Sequence, residues 1–386
     1  MSTPISWGEL CRACLMLGLT SYGGPAMVGY VREVMVERRR WVGAKDFAEG
    51  LALCQTIPGA TLTQVVSFIG FLLRGPAGAA AAAACFILPG ALLVLMLSAL
   101  YFYWQTLPLV QTLSRGVAAV VVAILAYASV RLAKTVLPTV ASLGIAGAAC
   151  VAYLLRLNAI VVILGAAGVG WLTCRKGSES TGEATEGARE FGAAGKLTWA
   201  ILGGGLAVGL LGMWMAVPGL ARLCLAFLGI GSVAFGGGYT MIPLIQQVVD
   251  SLGLVSTRVF MDGIALGQVT PGPIMLTATF LGYAGWGVPG ALLATLAVFL
   301  PSWAILVVAA PRFRTWSRQG PAQAMIRGVV ASFVGMLLSL LIRFGNLALI
   351  DLPSVLLTGL AFGTLLLGVD LPLVIAGGLF LSILLF

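Results

Sequence analysis

Gln55-Thr56-Ile57-Pro58-Gly59 is matched by Gln268-Val269-Thr270-Pro271-Gly272, an offset of 213 residues (268 minus 55). Working outward at that offset, Gly50 meets Gly263, Glu49 meets Asp262 and Phe47 meets Phe260. Tyr22-Gly23-Gly24-Pro25 meets Phe235-Gly236-Gly237-Gly238. After a slip of one residue, Gly75 meets Gly287, Gly78 meets Gly290, Pro89 meets Pro301, Arg115-Gly116 meets Arg327-Gly328, and Arg131 meets Arg343. Chance does not align Gly, Pro and Arg over a hundred residues, so the chain reads as a duplication.

The hydrophobic fraction is 60% and the charged fraction 9%, with a mean hydropathy of +1.06. Soluble domains carry about 25% charged residues, so this composition implies many membrane spans. The formal net charge of +9 sits mostly in short loops, where it sets topology; no nucleic-acid partner is implied. Histidine is absent, which removes the commonest metal and general-base side chain, and neither a metal nor a cofactor is expected. Cys11, Cys14, Cys54, Cys85, Cys150, Cys174 and Cys224 lie in apolar runs and read as packing residues. Met1 to Leu10 lacks a basic leader, so no cleaved signal peptide is expected.

Four apolar runs in each half are long enough to cross a bilayer at about 20 residues each: 77–103, 108–133, 138–156 and 158–174, then 288–310, 322–344, 353–369 and 371–386. The two earlier segments of each half are interrupted. Residues 7–39 break at Gly23-Gly24-Pro25, and residues 46–73 break at Pro58-Gly59. Proline suits the first turn of a new helix and not the interior of an old one, so each segment predicts two half-helices.

Loop 32–45 carries Arg32, Arg38, Arg39, Arg40 and Lys45, and loop 311–318 carries Arg312, Arg314 and Arg318. Both are assigned to the cytoplasm. Their counterparts in the other half are almost free of basic residues, so the halves read as oppositely oriented. Re-entrant hairpins satisfy every basic loop. The expected fold is an all-α integral membrane protein of two inverted-topology repeats, each with two broken, re-entrant helical hairpins plus four transmembrane helices, nine full spans in all with the linker helix. The domains are 1–174, a cytoplasmic linker 175–196, a linking transmembrane helix 197–217, and 218–386. The N-terminus is expected in the cytoplasm and the C-terminus outside.

Inverted repeats with broken helices point to a substrate site at the membrane midplane. Half-helix N-termini present unpaired N–H groups and partial positive charge, which suits anions. The expected binding set is Ser21, Gly23, Gly24, Pro25, Gln55, Pro58, Gly59, Thr61, Thr63 and Gln64 from the first half. From the second come Gly236, Gly237, Gly238, Gln268, Thr270, Pro271, Gly272 and Thr277. Gly and Pro could instead serve only close helix packing, and the two glutamines could satisfy carbonyls freed by the breaks. Glu49 and Asp262 are candidates for coupling to a proton gradient, or solvated residues at the hairpin mouths. Arg32, Arg115, Arg327, Arg131 and Arg343 are electrostatic candidates, with snorkelling to the interface as the alternative.

Tyr22-Gly23-Gly24-Pro25 followed by Glu37-Arg38-Arg39-Arg40-Trp41-Val42 resembles the signature of the chromate ion transporter family. Gln55 to Ala60 with Gln64 is similar to its second motif, and Phe86-Ile87-Leu88-Pro89 to its third. The second half repeats them at Phe235 to Gly238, Gln268 to Pro273, and Phe299-Leu300-Pro301. The resemblance covers nearly the whole chain. It departs at Ala26-Met27-Val28, where the family commonly has a histidine, and at Ala60, where it has the second proline of PGP. It implies a chromate efflux protein of a bacterial or archaeal inner membrane, with sulfate as a chemical analogue, lipid as its surroundings and an architecture compatible with a homodimer. The rivals are a membrane enzyme acting on lipid phosphates, a cation exchanger, and a channel or transporter for another anion. The first lacks the histidine and paired carboxylates such chemistry uses; the second lacks acidic residues at the breaks.

Overall fold

The computed structural model describes residues 5–21, 26–174, 204, 208–235, 238–312 and 320–386. Tyr22, Gly23, Gly24, Pro25, Gly236 and Gly237 of the expected breaks lie outside the described residues, as do the expected linker and part of the linking helix. Among the described residues the structure is helical, without strands. The helices are α1 (Trp7–Thr20), α2 (Ala26–Arg32, prolonged by a π-helical turn Glu33–Arg38), α3 (Ala44–Thr56), α4 (Thr61–Trp104), α5 (Pro108–Val136), α6 (Val140–Leu154) and α7 (Ala159–Cys174). Their counterparts are α8 (Pro218–Val233), α9 (Met241–Leu252), α10 (Thr257–Val269), α11 (Thr277–Ala309), α12 (Gly320–Ala348), α13 (Leu352–Leu366) and α14 (Leu371–Leu385).

The helix ends follow local chemistry. Ser6 with Glu9, and Thr139 with Ser142, form reciprocal caps, each satisfying two orphan N–H groups. Asp351 with Ser354 does the same at α13. Proline stands in the first turn of α5, α8, α13 and α14, where its missing N–H costs nothing.

Neither α4 nor α11 is straight. Arg74 (φ −144, ψ 23) and Gly75 (φ 66, ψ −156) interrupt α4; Trp286 (φ −142, ψ 24) and Gly287 (φ 59, ψ −146) interrupt α11 almost identically. The chain reverses there. Ser67 donates to Ala79 O at 3.3 Å, and the Thr279 and Thr295 hydroxyls meet at 2.7 Å. In a straight helix those pairs would lie about 18 and 24 Å apart. The reversals are tight because Gly70 packs on Gly78, and Gly282 on Gly290.

A second reversal precedes each of these. Gly50 of α3 lies against the Phe68 ring, and Gly263 of α10 against Phe280, which closes α3 and residues 61–73 into one helical hairpin and α10 and residues 277–285 into another. The tips are Pro58-Gly59 and Pro271-Gly272. Gly59 (φ 133) and Gly272 (φ 117) hold conformations closed to other residues. The backbone repeats throughout: the positive-φ residues among those described pair as Arg40 with Gly253, Gly59 with Gly272, Gly75 with Gly287, and Arg156 with Gly368.

The long limb 76–104 of α4 is flanked by both hairpins. The first lies along its early half, through Gly70 and Gly78. The second lies along its late half: Phe102 stacks on Phe280 at 5.1 Å and on Tyr283 at 5.9 Å, and Tyr101 meets Phe280 edge-on at 5.5 Å. At the base of the first hairpin, Arg74 bonds Ile5 O at 2.9 Å and covers the Trp7 ring at 4.7 Å. The start of α1 therefore lies at that base. At the base of the second, Gly219 of α8 meets Trp286, and Leu254 lies 3.4 Å from the position of a Cβ on Gly285.

Among the described residues, the helices long and apolar enough to cross a membrane are Thr61–Trp104, Pro108–Val136, Ile274–Ala309 and Ala324–Ala348. The sequence expected full spans at α6, α7, α13 and α14 as well. These are apolar but only 15 or 16 residues long, about 23 Å of helix against a hydrocarbon core of about 30 Å. They pack as pairs against the long helices, α6 and α7 on α12, and α13 and α14 on α5.

Candidate functional site

The two hairpin tips meet the opposite half reciprocally. Gly59 N–H donates to Ala234 O at 2.6 Å, and Gly272 N–H donates to Ser21 O at 2.8 Å. Ala234 is the repeat counterpart of Ser21. Gly59 packs on Ser302 and Gly272 on Gly90, which are counterparts too. Contacts that exchange in this way are those of a two-fold interface, here within one chain. Ser21 and Ala234 are the C-caps of α1 and α8, so each hairpin tip meets the end of the other half's first helix, the second tip at mid-height of the 76–104 limb beside Gly90.

The tips are tightly packed. A Cβ on Gly59 would collide with the Ser302 hydroxyl, and one on Gly90 with Pro271 O. Ala60 N–H donates to Ser302 Oγ at 3.2 Å. Gln64 Nε2 donates to Pro58 O at 2.7 Å, satisfying a carbonyl that the break frees.

Among the described residues, several buried polar atoms at this crossing have no hydrogen-bond partner: Ser21 Oγ, Thr63 Oγ1, Gln64 Oε1 and Gln268 Nε2. Gln268 Nε2 faces the Tyr239 hydroxyl without the geometry of a full hydrogen bond. An unpaired buried polar group costs about 1–3 kcal/mol. Ser21, Thr63 and Gln268 are donors, and they lie in the region the sequence assigns to an anion.

Other expected residues are engaged elsewhere. Thr270 and Thr277 give their hydroxyl protons to Leu266 O and Ile274 O, so they have no donor left for a substrate. Gln55 is exposed whereas its counterpart Gln268 is buried. Pro58, Thr61 and Pro271 line the tips. Gly238 packs on Ile274, 2.7 Å from the position of its Cβ. Arg32 is exposed and 3.9 Å from Glu37. Arg115, Arg131 and Arg327 are exposed, and Arg131 acts electrostatically on Tyr239, the neighbour of Gln268. Arg343 pairs with Asp250 at 3.1 Å, whose other oxygen accepts from Gln246 at 2.6 Å.

Asp262 is buried, and its Oδ2 accepts from the Tyr101 and Ser114 hydroxyls, each at 2.6 Å. Glu49 is half-buried. Sequence reasoning missed Gly90, Ser302, Tyr101 and Ser114. The first two follow the matched prolines Pro89 and Pro301, a signal that could have found them. Tyr101 and Ser114 have Phe313 and Ile326 as counterparts, so the repeat gave no sign of them.

Residues 8–171 and again 221–383 match the family described as Chromate transporter. The chain belongs to the chromate transporter family. Its members are transporters and not enzymes, which removes the lipid-phosphate enzyme considered from the sequence. A chromate transport protein of Cupriavidus metallidurans is 28% identical over 383 residues, covering 96% of this chain and 90% of the relative. One of Pseudomonas aeruginosa is 30% identical, covering 91% and 84%. An uncharacterized transporter of Methanocaldococcus jannaschii is 34% identical, covering 86% and 83%. No solved structure matches this chromate transporter family chain. Family and apolar helices together make it an ion-transporting membrane protein.

Proposed function

We propose that this protein carries chromate out of the cell, with sulfate as an analogue, by alternating access about the crossing of its two hairpins. The observation that carries the reading is the reciprocal pair of bonds, Gly59 to Ala234 and Gly272 to Ser21. It sets each hairpin tip against the end of the other half's first helix, where first-turn N–H groups lack helical partners and the Ser21, Thr63 and Gln268 donors have no partner among the described residues. A tetrahedral oxyanion takes several neutral donors of this kind.

The halves are inverted in this reading. The hairpins run in opposite directions along the 76–104 limb, the first beside Gly78 and the second beside Tyr101 and Phe102. They therefore approach the crossing from opposite membrane faces as re-entrant hairpins. The loop with Arg38, Arg39 and Arg40 marks the first face as cytoplasmic, with the N-terminus on that side and the C-terminus outside. Residues 1–174 and 218–386 are the two repeats.

Uptake of labelled chromate and sulfate into proteoliposomes tests the reading. Saturable chromate uptake competed by sulfate, and lost in Gly90→Leu, is expected. Absence of uptake of either anion by correctly folded protein overturns it.

A further inference from the structure

One buried carboxylate outside the tips is built as a site. Asp262 is 4% exposed. Both hydroxyls that reach it converge on Oδ2, and Oδ1 has no partner among the described residues. A carboxylate buried with one oxygen bare is expensive as an anion and inexpensive with a proton on that oxygen. Tyr101 comes from α4 and Ser114 from α5, so the arrangement spans both halves.

The charged and titratable groups on the elements around it are few. Arg258 lies one turn earlier on α10 and acts on Asp262 electrostatically. α4 contributes Tyr101. Arg115 on α5 is exposed beside Ser114. Asp250 on α9 is occupied by Arg343 and Gln246. α11 carries Tyr283, and α14 carries no ionisable residue. A metal cation would need several more oxygens than one bare Oδ1, and no group of three acidic, Cys or His ligands occurs among the described residues.

We propose that Asp262 is the proton-exchange site of the transporter, taking a proton from solvent onto Oδ1 as the oxyanion binds, and that Tyr101 and Ser114 are the residues that position it. This rests on the oxyanion-transport reading above and deepens it. No bond but the new O–H forms, and one proton accompanies the anion. Asp262 lies about 15 Å of helix from the Gly272 tip, and across a poorly screened interior an arriving dianion favours protonation of a carboxylate at that range. By linkage the proton favours the anion equally. The site is asymmetric. In the repeat alignment Tyr101 and Ser114 correspond to Phe313 and Ile326, neither of which carries a hydroxyl.

The test uses the full chain in detergent, weakly buffered with a pH-indicator dye, and titrated with chromate or sulfate. Anion binding is followed in parallel as a rise in melting temperature. Binding in the wild type should take up protons, and Asp262→Asn should abolish the uptake. Tyr101→Phe and Ser114→Ala each remove a hydrogen bond to the ionised form. Each should raise the pH midpoint of the uptake by about one unit, a readout that a merely structural role would leave in place. Undiminished proton uptake in Asp262→Asn, or unmoved midpoints in both hydroxyl variants, overturns the proposal. A wild-type protein with no melting shift for either anion overturns the transport reading instead. Should Asp262→Asn fail to fold, the hydroxyl variants carry the test.

Discussion

The two hairpins have the same backbone and different surroundings. Their tips share a left-handed glycine, their bases share an interrupted turn, and their inner faces share a glycine laid on a phenylalanine ring. Yet Ala48, Ala52 and Gln55, a stripe along α3, are exposed, whereas Met261, Ala265 and Gln268 on the matching stripe of α10 are buried. The long helix α5 packs along α10, with α14 beside it. Repeated sequence therefore set the local fold twice, and the packing of the flanking helices made the two copies unequal. Under the alternating-access reading proposed above, that inequality is what one conformational state would look like.

The sharpest way to break the comparison is to fill the stripe. Ala265→Leu puts three extra carbons into a packed interior and should destabilise by about 1–3 kcal/mol. Ala52→Leu, on the open stripe, should stay within about 0.5 kcal/mol. Melting temperatures of the purified variants decide it, and equal losses would mean that α3 is covered as fully as α10. Next in size is water access. In a cysteine-depleted background, Gln55→Cys should react with a membrane-impermeant maleimide about tenfold faster than Gln268→Cys, a difference of about 1.4 kcal/mol in effective accessibility.

Sameness can be sharpened as well. Gly75→Ala and Gly287→Ala meet open space but force an alanine into positive φ, at about 1–2 kcal/mol each. The two losses should agree within about 0.5 kcal/mol; a large disparity would show that the turns are not equivalent. The smallest contrast lies between two arginines. Arg343→Gln loses a partly exposed pair with Asp250 and should destabilise by about 0.2–1 kcal/mol. Arg131→Gln, at an exposed position, should change less, measured in the same melts.

Much of this was legible in the primary structure. The broken segments, the limits of the long helices and the glycine turn at residue 75 all follow from Gly and Pro, whose backbone rules act locally. The runs that became α6, α7, α13 and α14 were located to within a few residues, but at 15 or 16 helical residues they are shorter than the spans the sequence expected, because apolarity alone does not set helix length. Gln55 and Gln268, each three residues before a Pro-Gly pair, could not be told apart. Their difference lies in which distant helix lies over them.

By itself the sequence determined that the chain is duplicated, that it is apolar enough for a membrane, and where its backbone must break, since each of these depends on residue type and spacing alone. Tertiary structure decided which atoms meet: Gly59 with Ala234, Gly272 with Ser21, and Asp262 with two hydroxyls 161 and 148 residues away. Those pairings are set by how two hairpins lie along one shared helix, and side-chain order along the chain carries no record of that geometry.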